Sequence, residues 1–269
     1  MLDRFADSER VCATTFSGVN AQATRTADQA RSWRLRPWPN DPTVAQLVFL
    51  DHLTIPTDET VAIATAQARA RGALAVRTSA LFPRAAEVVL SAGYSPVDTL
   101  ALLRLDLETT PTHTSTTRRW AGNTRPMRPR HLARAAEIDT EAFGVMWGND
   151  TSSLCEIRAA TPVYRARVAG QRPGFMPNIT GSTIAGFAIT GAAGRNGYLQ
   201  RIAVYPHLQR CGIGTALVAD AVAWMRAKQL TSVLVNTGVD NAPALALYER
   251  FGFQRLREHL VIAEHRFTS

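Results

Sequence analysis

The chain reads as an α/β protein made of two similar halves, each a mixed sheet flanked by helices. Three observations predict this. Two strand-like runs, Ser182 to Thr190 and Tyr198 to Val204, flank a glycine-rich turn from Gly191 to Gly197 and lead into a helix and a further strand. The front half echoes this ending at a fixed spacing, and a Thr-rich stretch separates the two.

The 269 residues suffice for two modest domains, and a composition 46% apolar and 19% charged excludes wholesale disorder or a fibrous repeat. Residues 1 to about 30 are expected to be poorly ordered. A strand follows at Gln46 to Asp51, and Asp58 and Glu59 open a helix. Setting Ala92-Gly93-Tyr94 on Phe251-Gly252-Phe253 defines an offset of 159 residues. At that offset Ala75-Val76 falls on the strand Leu234-Val235, Arg84 to Val89 on the helix Pro243 to Tyr248, and Leu103 to Leu105 on the last strand. Three elements in the same order point to a duplicated domain.

Six threonines lie between Thr109 and Thr117 without apolar periodicity, so residues 109–124 read as a linker between domains 1–108 and 125–269. Arg125 to Arg130 is a short strand, and Leu132, Ala135, Ala136, Ile138 and Ala142 place a helix over His131 to Phe143. Leu217, Val218, Ala221, Val222 and Met225 form one face of a helix from Ile213 to Lys228, followed by a buried strand at Ser232 to Asn236. A second helix, Ala242 to Phe251, stops at Gly252 before a final strand pair through Val261 and Ile262.

Thirty basic against 22 acidic side chains give a net charge of +8, and Lys228 is the sole lysine. The arginine skew reads as genome composition: no basic stripe with interleaved aromatics and no zinc-finger or RNA-binding signature accompanies it, so no specific nucleic-acid partner is expected. Cys12, Cys155 and Cys211 form neither a disulfide framework nor a metal-ligand pattern. The mixed charges of Met1 to Arg10 and the lack of any run of ~18 apolar residues point to a cytoplasmic protein with no membrane partner.

The chemistry concentrates in the loop from Val204 to Thr215, which joins a strand to a helix and holds Gly212 and Gly214. Glycines let backbone amides approach a ligand, and at a helix start those N–H groups have no intrahelical acceptor and carry the positive end of the dipole. A pyrophosphate fits such a place. A Rossmann fingerprint needs a third glycine, and a P-loop needs Gly-Lys-Ser/Thr; neither is present.

Gln209-Arg210-Cys211-Gly212-Ile213-Gly214, preceded by Ile202-Ala203-Val204 and Pro206, resembles the acetyl-CoA loop of the GNAT superfamily of N-acetyltransferases. Asn241 and Tyr248, followed by Phe251-Gly252-Phe253, resemble the family's Asn-x6-Tyr-Glu-x2-Gly-Phe ending. The resemblance covers roughly Arg125 to His265 and is closest to the ribosomal-protein N-terminal alanine acetyltransferases, through the Ile-Ala-Val strand and Leu247 to Glu249. It implies a tandem GNAT fold, direct acetyl transfer from acetyl-CoA to an amine, and a substrate pocket built from variable loops, here Gly144 to Gly181. Main-chain groups of Ile202, Ala203 and Val204 would pair with the pantetheine arm, and amides from Gln209 and Arg210 through Cys211, Gly212, Ile213 and Gly214 to Thr215 would hold the pyrophosphate. Asn241 would hydrogen-bond the cofactor, and Tyr248 would be the acid that protonates the departing thiolate.

Rival readings stand beside these. Tyr248 suits a core aromatic, Asn241 suits a helix cap, and Cys211, without a partner histidine, reads as loop filler. The base of the alanine acetyltransferases, a glutamate five residues before the Asn, is Asn236 here, and the acidic position four residues before Ile202 is Tyr198. A water held by Tyr198, or the carboxylate of Asp139 or Glu141, remains as base. In the front half Val89 and Phe82 replace Tyr248 and Asn241 at the repeat offset, and Ile55 to Glu59 carries no Gly-x-Gly, so that half is expected to be degenerate. Mycothiol synthases are tandem GNAT proteins with this asymmetry, which makes a mycothiol-synthase-like small-molecule acceptor one alternative to a protein N-terminus or an aminoglycoside-like amine. A non-catalytic acyl-CoA-binding module is the alternative from another class.

Overall fold

The computed structural model describes residues 32–50, 55–110, 124–170 and 184–268. The expected disorder of the first residues, most of the Thr-rich linker, Cys12, Ser182 and the end of the 144–181 stretch lie outside them. Two compact units are present, Met1–Leu100 with Glu258–Ser269, and Ala101–Arg257.

In the first unit β1 (Trp33–Trp38) and β2 (Asp41–Phe49) form an antiparallel hairpin, turned at Asn40 with φ 62°. Asparagine tolerates that left-handed conformation better than most side chains. Helix α1 (Asp58–Ala70) carries the chain to β3 (Ala75–Thr78), which runs parallel to β2. Helix α2 (Pro83–Ser91), with proline in its first turn, leads to β4 (Ser95–Asp106). Leu47, Val61, Ala64, Ala68, Val76, Val89 and Tyr94 form the buried core of this unit.

The second unit contains β5 (Thr124–Pro126), α3 (Leu132–Phe143), α4 (Thr151–Ala159), β6 (Val163–Gly170), β7 (Ile184–Ala193), β8 (Asn196–Val204), α5 (Ile213–Ala227), β9 (Ser232–Gly238) and α6 (Ala242–Arg250). Strands β5 to β8 pair antiparallel in sequence, and β8 then pairs parallel with β9. Every residue of β7 from Ile184 to Ala192 is buried, odd and even alike, so both its faces are covered. Helices α3 and α5 pack on it.

The element bounds repeat. A shift of 159 residues carries α2 onto α6 and Ser95 onto Gln254, where β10 (Gln254–Arg266) begins. A shift of 155 residues carries β2 onto β8 and Asp58 onto Ile213. The same hairpin, crossover helix, parallel strand, helix and strand therefore occur twice.

The compact units do not follow boundaries at 108 and 125. From Ala101 onward β4 belongs to the second unit, where it lies beside β9, and from Glu258 onward β10 belongs to the first, where it lies beside β3. The final strand pair expected near Val261 is the single strand β10, whose Glu264, His265 and Arg266 pair antiparallel with Arg77, Val76 and Ala75. A backbone ladder accepts any strand of suitable pattern, so side chains decide which one docks. Arg77 and Glu264 lie opposite each other as a buried ion pair, with the guanidinium 4.5 Å from the Trp38 ring centre. Shifted by the repeat, Arg77 would face Leu105 and Glu264 would face Asn236. Removing the carboxylate takes a buried counter-charge from Arg77 and a second one from Arg266, whose Nε lies 2.7 Å from Glu264 Oε1, so Glu264→Gln is expected to cost about 3–5 kcal/mol in denaturant unfolding, and the reciprocal swap Arg77→Glu with Glu264→Arg is expected to recover part of it.

The stretch read as loops contains α4 and β6. Two arginines interrupt the apolar run of β6, and Arg165 and Arg167 turn toward Asp220 on α5, with Arg165 Nη1 2.6 Å from its carboxylate.

Candidate functional site

β8 pairs with β7 along its length but with β9 only at Asn196, Gly197 and Tyr198, opposite Ser232, Val233 and Leu234. Past Tyr198 the two parallel strands part. The register between β7 and β8 slips at Ile189/Thr190, leaving Gln200 as an extra residue on β8, and a bulge of this kind bends a strand and sharpens its twist. Ile202, Ala203 and Val204 thus lie on a strand whose β9-facing edge has no ladder partner among the described residues. Such an edge can take up an extended ligand as an added strand.

The chain then turns through Pro206–Leu208 into α5. Arg210 holds φ 63° and Gly212 φ 90°. A left-handed arginine carries roughly 1–3 kcal/mol of strain, the kind found at ligand clamps. Gly212 is the N-cap of α5, without a side-chain acceptor, and the first turn holds no acidic residue. The first bond back into the helix runs from Ala216 N to Gly212 O at 3.0 Å, so the N–H groups of Ile213, Gly214 and Thr215 precede the ladder and present the positive end of the helix. A Cβ on Gly214 would lie 3.4 Å from Leu247 Cδ2 and 3.9 Å from Val204 Cγ2, so this glycine opens on the space between β8 and α6. Gln209 is exposed, and its Nε2 donates to Val204 O at 3.4 Å; Cys211 is a free, half-buried thiol.

The matching helix of the first unit is closed to anions. Thr57 Oγ1 accepts from Thr60 N at 3.2 Å, and Asp58 and Glu59 occupy the first turn of α1. Its own side chains answer its dipole.

Asn241 sits where α6 begins and caps it: Oδ1 accepts from Ala244 N at 3.2 Å, and Nδ2 donates to Thr237 Oγ1 at 3.0 Å. One N–H and one lone pair of the amide remain for a ligand. Tyr248 is buried on α6 against Phe253, ring centres 5.6 Å apart, in the cluster that includes Leu199 and Val235. Burial pushes its pKa up to about 12, with the nearby Arg201 cation pulling the other way. Its hydroxyl has no protein partner among the described residues, and at neutral pH the phenol is a protonated donor.

The base candidates separate. Asp139 is wholly buried, and its two oxygens accept from Arg201 Nε at 2.8 Å, Arg201 Nη2 at 2.7 Å, Asn149 N at 2.7 Å and Asn149 Nδ2 at 3.0 Å. A carboxylate so engaged is a structural anion, and Asp139 drops out as base. Glu141 is exposed and bears on the hydroxyl of Tyr205, whose pKa burial raises. Tyr198 is half-buried at the last residue pair before β8 and β9 part, the position that suits a held water. Among the described residues no group of three or more His, Cys, Asp or Glu could hold a metal, and no helix is long and apolar enough to cross a membrane.

Sequence reasoning missed Arg201. Its head is fixed by Asp139, by a bond to Trp147 O at 2.8 Å and by the Phe143 ring 3.7 Å away. The available signal was Asp139 itself, a carboxylate on the apolar face of α3 that had to find a cation.

Residues 132–253 match the Acetyltransferase (GNAT) family. A 54-residue stretch is 39% identical to a mycothiol acetyltransferase of Arthrobacter sp. (strain FB24), covering 20% of this chain and 17% of that protein. A 95-residue stretch is 32% identical to a mycothiol acetyltransferase of Acidothermus cellulolyticus, covering 34% of this chain and 29% of that one. The matches thus span less than a third of these relatives. A tandem GNAT protein from the clavulanic acid biosynthesis pathway superposes with a TM-score of 0.60 at 13% identity, over 84% of this chain and 76% of its own. The segment 132–253 is thus similar to the GNAT acetyltransferase family, and the chain shares the fold of a tandem GNAT protein.

Proposed function

We propose that the second unit transfers an acetyl group from acetyl-CoA to an amine. One observation carries this reading. Of two equivalent helices, α1 is capped by Thr57 and made acidic by Asp58 and Glu59, whereas α5 is uncapped, free of acid in its first turn, and placed where β8 and β9 part.

When bound, acetyl-CoA supplies an activated acyl group on a thiol leaving group. The protein's own tasks are to hold the anionic end, align the arm and move protons. The N–H groups of Ile213, Gly214 and Thr215 hold phosphate oxygens, with Gly212 giving the turn its left-handed geometry. The open edge of β8 at Ile202 to Val204 aligns the arm, and the spare amide valences of Asn241 add a contact at the start of α6. Tyr248 presents its proton to the departing sulfur. With a pKa near 12 against about 8.5 for a thiol, full transfer to a free thiolate would be uphill by roughly 5 kcal/mol, so the phenol works as a strong hydrogen-bond donor that gives up its proton late. Tyr198 holds the water that accepts the proton of the incoming amine.

The mycothiol acetyltransferase relatives favour a small-molecule amine acceptor, with a protein N-terminus as the second reading. Cys155 and Cys211 are not joined in disulfides, which suits a reducing compartment and supports a cytoplasmic location. Thiol release from acetyl-CoA, measured over a panel of small amines, aminoacyl compounds and peptides, tests the function. Binding without thiol release on any acceptor would leave an acyl-CoA-binding module.

Calorimetry is expected to give one acetyl-CoA per chain, because the first unit has neither an open helix start nor a counterpart of Tyr248, whose place Val89 takes. Two equivalent sites would refute the degeneracy of that unit.

A further inference from the structure

Gln200 is the extra residue that the register slip at Ile189/Thr190 leaves on β8, and its side chain lies across the neighbouring strand. Gly191 of β7 makes room for it: a Cβ there would meet Gln200 Cδ at 2.9 Å and Thr161 Oγ1, in the turn after α4, at 2.1 Å. Thr161 Oγ1 donates its one proton to Val163 O at 3.0 Å, so toward Gln200 it can only accept, and Nε2 reaches it at 3.5 Å. That settles the sense of the amide. Oε1 is left over, buried and with no hydrogen-bond partner among the described residues. Tyr198 is the direct β8 partner of the same Gly191. Residues directly opposite each other send their side chains from one face, with Cβ atoms about 4.5–5.5 Å apart, so the phenol of Tyr198 leaves the sheet beside the Gln200 amide. Tyr198 is also where the ladder with β9 ends.

We propose that Gln200 is a positioning residue for proton removal, its Oε1 being the second anchor of the water that Tyr198 holds. This rests on the acetyl-transfer reading, with that water as the proton acceptor. A buried water makes about three hydrogen bonds, and Tyr198 by itself supplies too few. A buried carbonyl oxygen in turn ordinarily has a donor, and a water is small enough to reach one that bulk solvent does not. An anchor that can only accept also orients the water: one O–H must point at Oε1, which keeps a lone pair for the incoming amine. Because Oε1 belongs to a neutral amide, it directs the water without becoming the base itself. The water takes the proton that the attacking nitrogen sheds as its bond to the acyl carbon forms. Tyr248 gives a proton to the sulfur as the carbon–sulfur bond breaks, and exchange with solvent restores both groups.

The experiment sets Gln200→Met against Gln200→Glu. The first keeps the length of the side chain and removes both polar atoms. The second keeps an acceptor for the water but gives up the donor to Thr161. With an amine that the wild-type chain acetylates, Gln200→Met is expected to lower kcat by about 10–100-fold, the size of one hydrogen bond to a group gaining positive charge, at unchanged acetyl-CoA affinity and melting temperature. Gln200→Glu is expected to recover most of that loss. A crystal structure of the wild-type chain is expected to show one water bonded to both Tyr198 Oη and Gln200 Oε1, and that of Gln200→Met to lack it. Equal losses in the two variants would mean that the bond to Thr161 is what counts, and would overturn the proposal. A wild-type structure in which no water joins the two atoms overturns it as well, whatever happens to turnover. If the wild-type chain binds acetyl-CoA but releases thiol to no amine, the acetyl-transfer reading fails and the proposal with it, and that failure shows in the parent chain before any variant is made.

Discussion

Tyr248→Phe is expected to lower kcat by about 10²–10⁴-fold while acetyl-CoA affinity stays nearly unchanged, since a positioned general acid commonly contributes that much. The substitution removes one hydroxyl and keeps the ring that packs on Phe253. That hydroxyl has no protein partner among the described residues, so its loss leaves no group unsatisfied and the melting temperature should hold at neutral pH. The alkaline range gives a second readout. A phenol whose folded pKa is about 12 against 10.0 unfolded contributes its full stability below pH 10 and loses it as pH rises toward 12. The loss amounts to roughly 3 kcal/mol, and Tyr248→Phe should be spared it. Because the acid stays protonated up to that range, wild-type turnover should show no basic limb from Tyr248 below about pH 11. Normal turnover by the variant at saturating acceptor would mean that the thiol leaves without this phenol.

Gly214→Val is expected to weaken acetyl-CoA binding by about 10–100-fold, the loss of one or two charge-assisted hydrogen bonds from amides that can no longer approach phosphate. The added side chain would point into the space between Val204 and Leu247, at ordinary contact distance from both, so the fold should tolerate it. Gly212 is a different case. At φ 90° it holds a conformation that valine adopts only with strain, and Gly212→Val should lose stability as well as affinity. The two glycines look alike in the sequence, yet only Gly214 gives a clean test. Isothermal calorimetry with a melting curve separates the effects, and unchanged affinity in Gly214→Val would reduce the loop to a plain turn.

Much of the second unit was legible before any coordinates. Of the expected helical face Leu217, Val218, Ala221 and Met225 are buried and Val222 is half-buried, and α5 begins at Ile213, between the two glycines of the loop. The repeat offset, taken from two Gly-centred tripeptides, lands on both ends of α2 and α6. These features are local. Periodicity along one element reports which face is buried, and a helix stop or a glycine pair reports backbone geometry over a few residues.

What stayed hidden depends on partners far apart in the chain. Strand β6 is hidden in a stretch taken for loops because the sequence does not show Asp220 waiting for Arg165 and Arg167. Asp139 remained a candidate base until Arg201, 62 residues away, was seen to hold it. Asn241 carried two readings, and the structure shows its amide capping α6. The last strands of the two copies share an apolar pattern, so the sequence determined that each copy has such a strand but not which neighbour it joins. Tertiary structure decided that, because a backbone ladder accepts either strand, while the buried Arg77 meets a buried carboxylate where Glu264 lies opposite it and would face Leu105 in the other pairing.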